Sequence, residues 1–188
     1  MKNTKKLILA AMFLAIGMVL PMITGQMQEI GRMLLPMHLP VLLCGLILGP
    51  KYGGAVGLVL PGMRFMVFGM QPLIPMGLAM TFELAAYGFI IGWLYHSSKW
   101  KCILALFRSL IIAMIAGRAV WGIAMVVIMG VRGASFTWEA FIGGAVLGAI
   151  PGILLQLVLI PMIMIALNRT GLVPFNNKHH RSEAKSGK

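Results

Sequence analysis

The chain contains no aspartate. Its acidic residues are four glutamates, Glu29, Glu83, Glu139 and Glu183, against sixteen Lys and Arg, for a net charge of +12. Without aspartate, the paired-carboxylate chemistry of intramembrane aspartyl proteases and lipoprotein signal peptidases is excluded. The HExxH, GxSxG and P-loop patterns are missing too, so the chain has no recognisable hydrolase machinery and cannot hydrolyse ATP alone. It reads as a non-enzyme without a cofactor. Cysteine is scarce: Cys44 and Cys102 have no CxxC spacing, which argues against a disulfide or a metal site. His179 and His180 lie in a polar tail and are too few to argue for a metal. Nor are there two halves with matching broken helices, as an inverted-repeat transporter would show.

Charge of any kind is also scarce. Charged residues make up 11% of the chain, against roughly 25% in a soluble domain, and 60% of residues are hydrophobic, with a mean hydropathy of +0.93. Water cannot be the solvent for so much apolar surface. The chain is therefore an integral membrane protein with a single domain. The positive charge is better explained by topology than by nucleic acid, since no surface element interleaves aromatic and basic residues.

About 20 apolar residues cross a bilayer as a helix. Six runs approach that length: 7–24, 35–49, 53–69, 73–95, 110–130 and 140–167. The predicted fold is thus all-α, a compact bundle of six transmembrane helices. The second run is short for a full span. Lys2, Lys5 and Lys6 precede the first run, which has no small-x-small cleavage site and reads as a span rather than a signal. With the N-terminus inside, cytoplasmic segments hold twelve basic residues, outer loops hold Arg32 and Arg132, and Arg64 and Arg118 fall within spans. That asymmetry places both termini in the cytoplasm. Residues 1–175 form the membrane domain; 176–188 form a basic tail expected to stay disordered against the anionic inner leaflet.

An ionised side chain within a span needs a partner or a wet cavity, because it costs at least ~2.5–3.5 kcal/mol on insertion scales. Three such residues occur: Arg64, Glu83 and Arg118. Either all three meet, leaving one positive charge for an anionic ligand, or Glu83 pairs with one arginine to hold helices in register. Helical spacing adds neighbours. Met76, Met80, Glu83 and Tyr87 share a face, as do Arg118, Trp121 and Met125, and Phe68 is one turn from Arg64. Flat aromatic and thioether walls around a few aimed polar groups suit a small polar or ring-bearing ligand. Ordinary core packing is the readier account of any one of these stripes, and it is their coincidence on three helices that points to a ligand.

Loop residues extend the candidate set. Gln26, Gln28, Glu29 and Arg32 form a polar loop able to cap an outward-facing pocket. Gln71 sits in a tight connection, and His38 lies between Pro36 and Pro40 at the rim. Trp138 reads as an interfacial anchor, and Gln156 must satisfy its amide internally. Gly49, Gly53 and Gly57, Gly144 and Gly148, and Ala11 and Ala15 repeat at intervals of four. Small-xxx-small faces let helices approach closely in lipid.

The chain resembles the substrate-binding S-component of an energy-coupling factor (ECF) vitamin transporter. The resemblance runs from Lys5 to about Val173. It rests on size, six spans, Ala11-xxx-Ala15, Leu35-Pro36-Met37-His38-Leu39-Pro40-Val41, and Gly45-xxx-Gly49-Pro50-Lys51-Tyr52-Gly53 with Gly57. The stretch from Phe82 to Gly88 and the pair Gly117-Arg118 are similar to the branch with pantothenate- and pyridoxine-type members. The resemblance implies a vitamin site near the outer face and a bacterial plasma membrane location. It further implies docking through Ala11 and Ala15 onto a transmembrane coupling subunit driven by two ATPase subunits. The expected site is Arg64, Glu83, Arg118, Trp121, Phe68, Met80, Tyr87, Met125, Gln71, His38 and Arg32. The surplus of buried positive charge tilts the expected ligand towards pantothenate, with a pyridoxine-type ring next. A stand-alone facilitator or channel, and a membrane scaffold with structural charge pairs, are the alternatives.

Overall fold

The structure is a computed structural model that describes residues 3–24, 36–69, 73–98, 102–133, 137–143 and 150–169. Arg32 and the rest of the 26–32 loop, Gln71, Gly144, Gly148 and the tail 176–188 lie outside the described residues. Every regular element among the described residues is helical.

Helix α1 spans Asn3–Thr24 and takes in Lys5 and Lys6, four residues earlier than the apolar run predicts. Long lysine stems can lie along apolar surface while their ammonium groups stay in water, so the helix has no reason to stop at the first charge. Helix α2, His38–Leu48, is the hub of the bundle. All of its residues but Ile47 are buried, and at 11 residues it rises only ~16 Å, about half the hydrocarbon core. One face packs with α1 and α3 through Val41, Cys44 and Leu48. The other packs with α4, α5 and α7 through Leu42, Leu43 and Leu46.

The chain reverses from α2 into α3 at a single residue. Gly49 adopts φ 99°, a left-handed region open to glycine, and its N–H donates to the Gly45 carbonyl at 3.0 Å. Pro50 then starts α3 (Pro50–Phe68), where its missing N–H would have had no helical partner anyway. Helix α3 therefore begins three residues before the predicted Gly53. It ends at Gly69, whose left-handed turn returns its N–H to Phe65.

The predicted start of the fourth span at Leu73 is also shifted. Ile74 is extended, Leu73–Gly77 forms a wide turn, and regular α4 runs from Leu78 to Ser97. Helix α5, Ile103–Val131, begins seven residues before the predicted 110. Its 29 residues rise ~44 Å, more than the ~30 Å core, so its exposed Arg108 sits in turns that project from the apolar layer. The last predicted run is described as the short α6, Trp138–Phe141, and as α7, Ile150–Arg169.

Among the described residues four helices are long and apolar enough to cross a membrane: those of α1, α4, α5 and α7. Helix α3 has the length, at 19 residues, but Lys51, Arg64 and several glycines dilute its apolarity. Contacts set the directions. His38 faces Glu83 and Gly45 faces Gly88, so α2 and α4 run parallel. Gly53 faces Gly88 while Gly57 faces Leu84, so α3 runs antiparallel to α4. The three helices close on bare backbone. A Cβ on Gly53 would lie 2.6 Å from the Gly45 Cα, and one on Gly92 2.6 Å from the Pro50 nitrogen. Only hydrogen fits there, which is what the fourfold glycine spacing encodes.

Candidate functional site

One turn of α2 and two turns each of α4 and α5 bring a polar cluster into this apolar bundle. Glu83 is 1% exposed. Its Oε1 lies 3.1 Å from Arg118 Nη1 and 3.6 Å from His38 Nε2. Arg118 comes from α5, which runs antiparallel to α4. His38 comes from the first turn of α2, is also 1% exposed, and stacks edge-on against Tyr87 with ring centroids 5.1 Å apart. The Tyr87 hydroxyl donates to the Met114 carbonyl at 3.4 Å. A carboxylate, a guanidinium, an imidazole and a phenol from three helices thus meet at one level.

The cluster is charged but incompletely bonded. The Glu83–Arg118 contact is an ion pair by distance, outside hydrogen-bond geometry. Both His38 ring nitrogens, Glu83 Oε1, and Arg118 Nε and Nη2 are buried without a hydrogen-bond partner among the described residues. Buried polar groups are nearly always bonded, so such a concentration calls for a reason. The two unused arginine donors are informative. Nε–H and Nη2–H form the side edge of the guanidinium, a planar fork matched to the two oxygens of a carboxylate or phosphate. Nη1, at the other end of the group, is the atom held by Glu83.

The remaining candidates are distributed around this centre. Trp121, one turn beyond Arg118, and Met125 pack with Ala79 against Phe141; the Trp121 and Phe141 rings are 6.3 Å apart. Met80 instead faces the α1–α3 side of the core. Arg64 and Phe68 are half-buried near the end of α3. Arg64 does not join the triad. It lies seven residues beyond Gly57, which faces Leu84, and is therefore ~10 Å along the axis from the level of Glu83. Among the two arrangements open to the sequence, the structure has the Glu83–Arg118 pair. It also moves His38 from the rim to the buried centre. Ala11 and Ala15 are exposed, on the side of α1 turned away from the bundle, alongside exposed Ile8, Met12, Ile16 and Val19.

Sequence reasoning missed two contributors. Gly117 makes room for Tyr87, because a Cβ there would lie 2.8–2.9 Å from the tip of the ring. The Met114 carbonyl receives the phenol, and no sequence signal marks a backbone acceptor. A buried histidine–carboxylate–arginine cluster inside a multi-pass helical membrane protein marks a candidate functional site, because ionised groups are costly there. The chain matches the family described as ECF transporter, substrate-specific component, over residues 5–166, and it belongs to that family. It is accordingly a substrate-specific membrane subunit of an ECF transporter, a transport component and not a catalyst. Searches of curated proteins and of solved structures returned no match.

Proposed function

We propose that this chain captures a small water-soluble vitamin or vitamin precursor at the outer side of a bacterial plasma membrane. It does so as a six-span bundle with both termini in the cytoplasm, twelve of its sixteen basic residues lying on cytoplasmic segments in that topology. ATPase subunits supply the energy through a transmembrane coupling subunit that docks on the Ala11 and Ala15 face of α1. Pantothenate is the favoured ligand and a pyridoxine-type ring the next. The observation that carries this reading is the unpartnered, buried side edge of Arg118 in a cluster built by three helices. Trp121, Met125 and Tyr87 supply apolar walls on the same helices.

The test is binding by the purified chain without partners or ATP. A panel of B-vitamins and precursors is expected to contain one ligand with sub-micromolar affinity, ~8 kcal/mol or more of binding free energy. A panel with no binder overturns the reading. Arg118→Ala abolishes that binding, whereas unchanged affinity removes Arg118 from the site.

A further inference from the structure

We infer that the cluster takes a carboxylate-bearing ligand on the side edge of Arg118 and binds a proton on His38 as it does so. This deepens the proposed function and rests on it. It begins with charge. With His38 neutral, Glu83 and Arg118 balance each other and the cluster is neutral overall. Seating an anion on Nε and Nη2 of Arg118 adds one negative charge in a region with little water to screen it. An uncompensated charge there is expensive.

His38 is placed to supply the compensation. Histidine changes charge in the physiological range. Both of its ring nitrogens are buried without partners, and Nε2 is 3.6 Å from Glu83 Oε1. A proton taken from solution onto the imidazole gives two positive groups, His38 and Arg118, facing two negative ones, Glu83 and the ligand. The protonated ring turns the long His38–Glu83 contact into a charge-assisted hydrogen bond, and Glu83 is shared between the two cations.

Among the described residues no other group offers itself for this role. From α4, His38 faces Glu83 and the uncharged phenol of Tyr87; α5 contributes Arg118 through Glu83. Cys44 lies nearly two turns along α2 itself. On α1 and α3 the titratable groups are Lys5, Lys6, Lys51, Tyr52 and Arg64, and on α7 Arg169 at its end. Among the described residues none of these is at ion-pair distance from His38 or Glu83. Arg64, the nearest in kind, is already positive and offset along the axis, so it cannot take up a proton on ligand entry.

The experiment uses the full chain in lipid nanodiscs and two matched pairs of probes, pantothenate with pantothenol and nicotinate with nicotinamide. Each pair differs in whether a carboxylate is present. The expected result is that an acid binds and its neutral counterpart binds at least about 100-fold more weakly, the loss of a bidentate charge-assisted contact. Calorimetry in buffers of different ionisation enthalpy is expected to show net proton uptake on binding the acid. Affinity for the acid is expected to fall as pH rises, the direction set by a proton bound only in the complex. His38→Gln is expected to abolish proton uptake and flatten that slope. Because the proton count is read on the unaltered chain, failure of this variant to fold leaves the test intact. Acid binding without proton uptake overturns the inference, as does uptake unchanged in His38→Gln. Tight binding of a neutral vitamin with no acid bound overturns this inference but leaves the proposed function standing; no binding by any vitamin overturns both.

Discussion

The two ends of α2 meet the same partner helix with opposite chemistry. At its C-terminal end, Gly45 and Gly49 meet Gly88, Gly92 and the first turns of α3 through bare backbone. At its N-terminal end, about 10 Å away along the axis, His38 meets Glu83 and Tyr87, and Glu83 in turn meets Arg118. The glycine end leaves no volume for anything else. The polar end holds five buried polar atoms with no hydrogen-bond partner among the described residues. The contrast teaches a division of labour. A junction closed on backbone atoms is rigid, and a rigid junction holds α2 and α4 so that charged side chains stay aligned without being fully bonded. The polar end can keep its charged groups incompletely bonded because the glycine end does not yield.

Substitutions separate the two ends, and the greatest effect is expected at the glycine end. Gly53→Leu drives a side chain into backbone atoms of α2 and α4, and Gly88→Leu into those of α3, and backbone cannot move aside as a side chain would. The expected outcome is loss of at least ~3 kcal/mol and no monodisperse protein by size-exclusion chromatography, whatever ligand is added. Full yield from either variant would show that the junction is not the rigid element.

At the polar end the effect on the fold is smaller and the effect on binding larger. Arg118→Ala leaves the Glu83 carboxylate buried without its partner, for a loss of about 3 kcal/mol read as a lowered unfolding midpoint. Combining Arg118→Met with Glu83→Gln removes both charges and is expected to recover most of that stability without recovering ligand. If the double variant binds normally, the ion pair is structural. Gly117→Ala is milder. Its methyl pushes the Tyr87 ring away from Met114, with an expected loss of ~1 kcal/mol and a several-fold weaker affinity.

The smallest effect on stability belongs to a surface that neither end uses. Ala11→Leu with Ala15→Leu lies on the exposed side of α1. Thermal stability is expected to change by less than ~0.5 kcal/mol, and ligand affinity not at all. Uptake in cells carrying the coupling module is expected to be lost, because the flat patch for another helix is gone. Unchanged uptake would move the docking face elsewhere.

Much of this architecture was legible in the residues. Apolar runs located α1, α2, α3, α4 and α5. Boundaries slipped where polarity did not coincide with a helix end. Arg108 and Ser109 look like loop, yet Ser109 returns its hydroxyl to the Ala105 carbonyl at 2.7 Å and the helix passes through them. Leu73 looks like span, yet the extended Ile74 delays the regular helix to Leu78. Within the candidate site, the spacing of Glu83 and Tyr87, and of Arg118 and Trp121, put each pair on one face. The pairing of Glu83 with Arg118 over Arg64 did not follow from spacing, because it depends on the axial offset between α3 and α4.

Local chemistry thus decided what each segment is. Composition chose the bilayer as solvent, run lengths chose helices, and glycine spacing marked where helices close on one another, because these depend only on solvation and on volume along one helix. Which groups meet is a different kind of fact. His38 became the centre of the cluster because α2 runs parallel to α4 and is clamped against it at Gly45 and Gly88. The side edge of Arg118 has no hydrogen-bond partner among the described residues because α5 presents Nη1 to Glu83. Such contacts depend on relative depth and rotation of three helices, quantities that a periodic pattern leaves undetermined and that only close packing resolves.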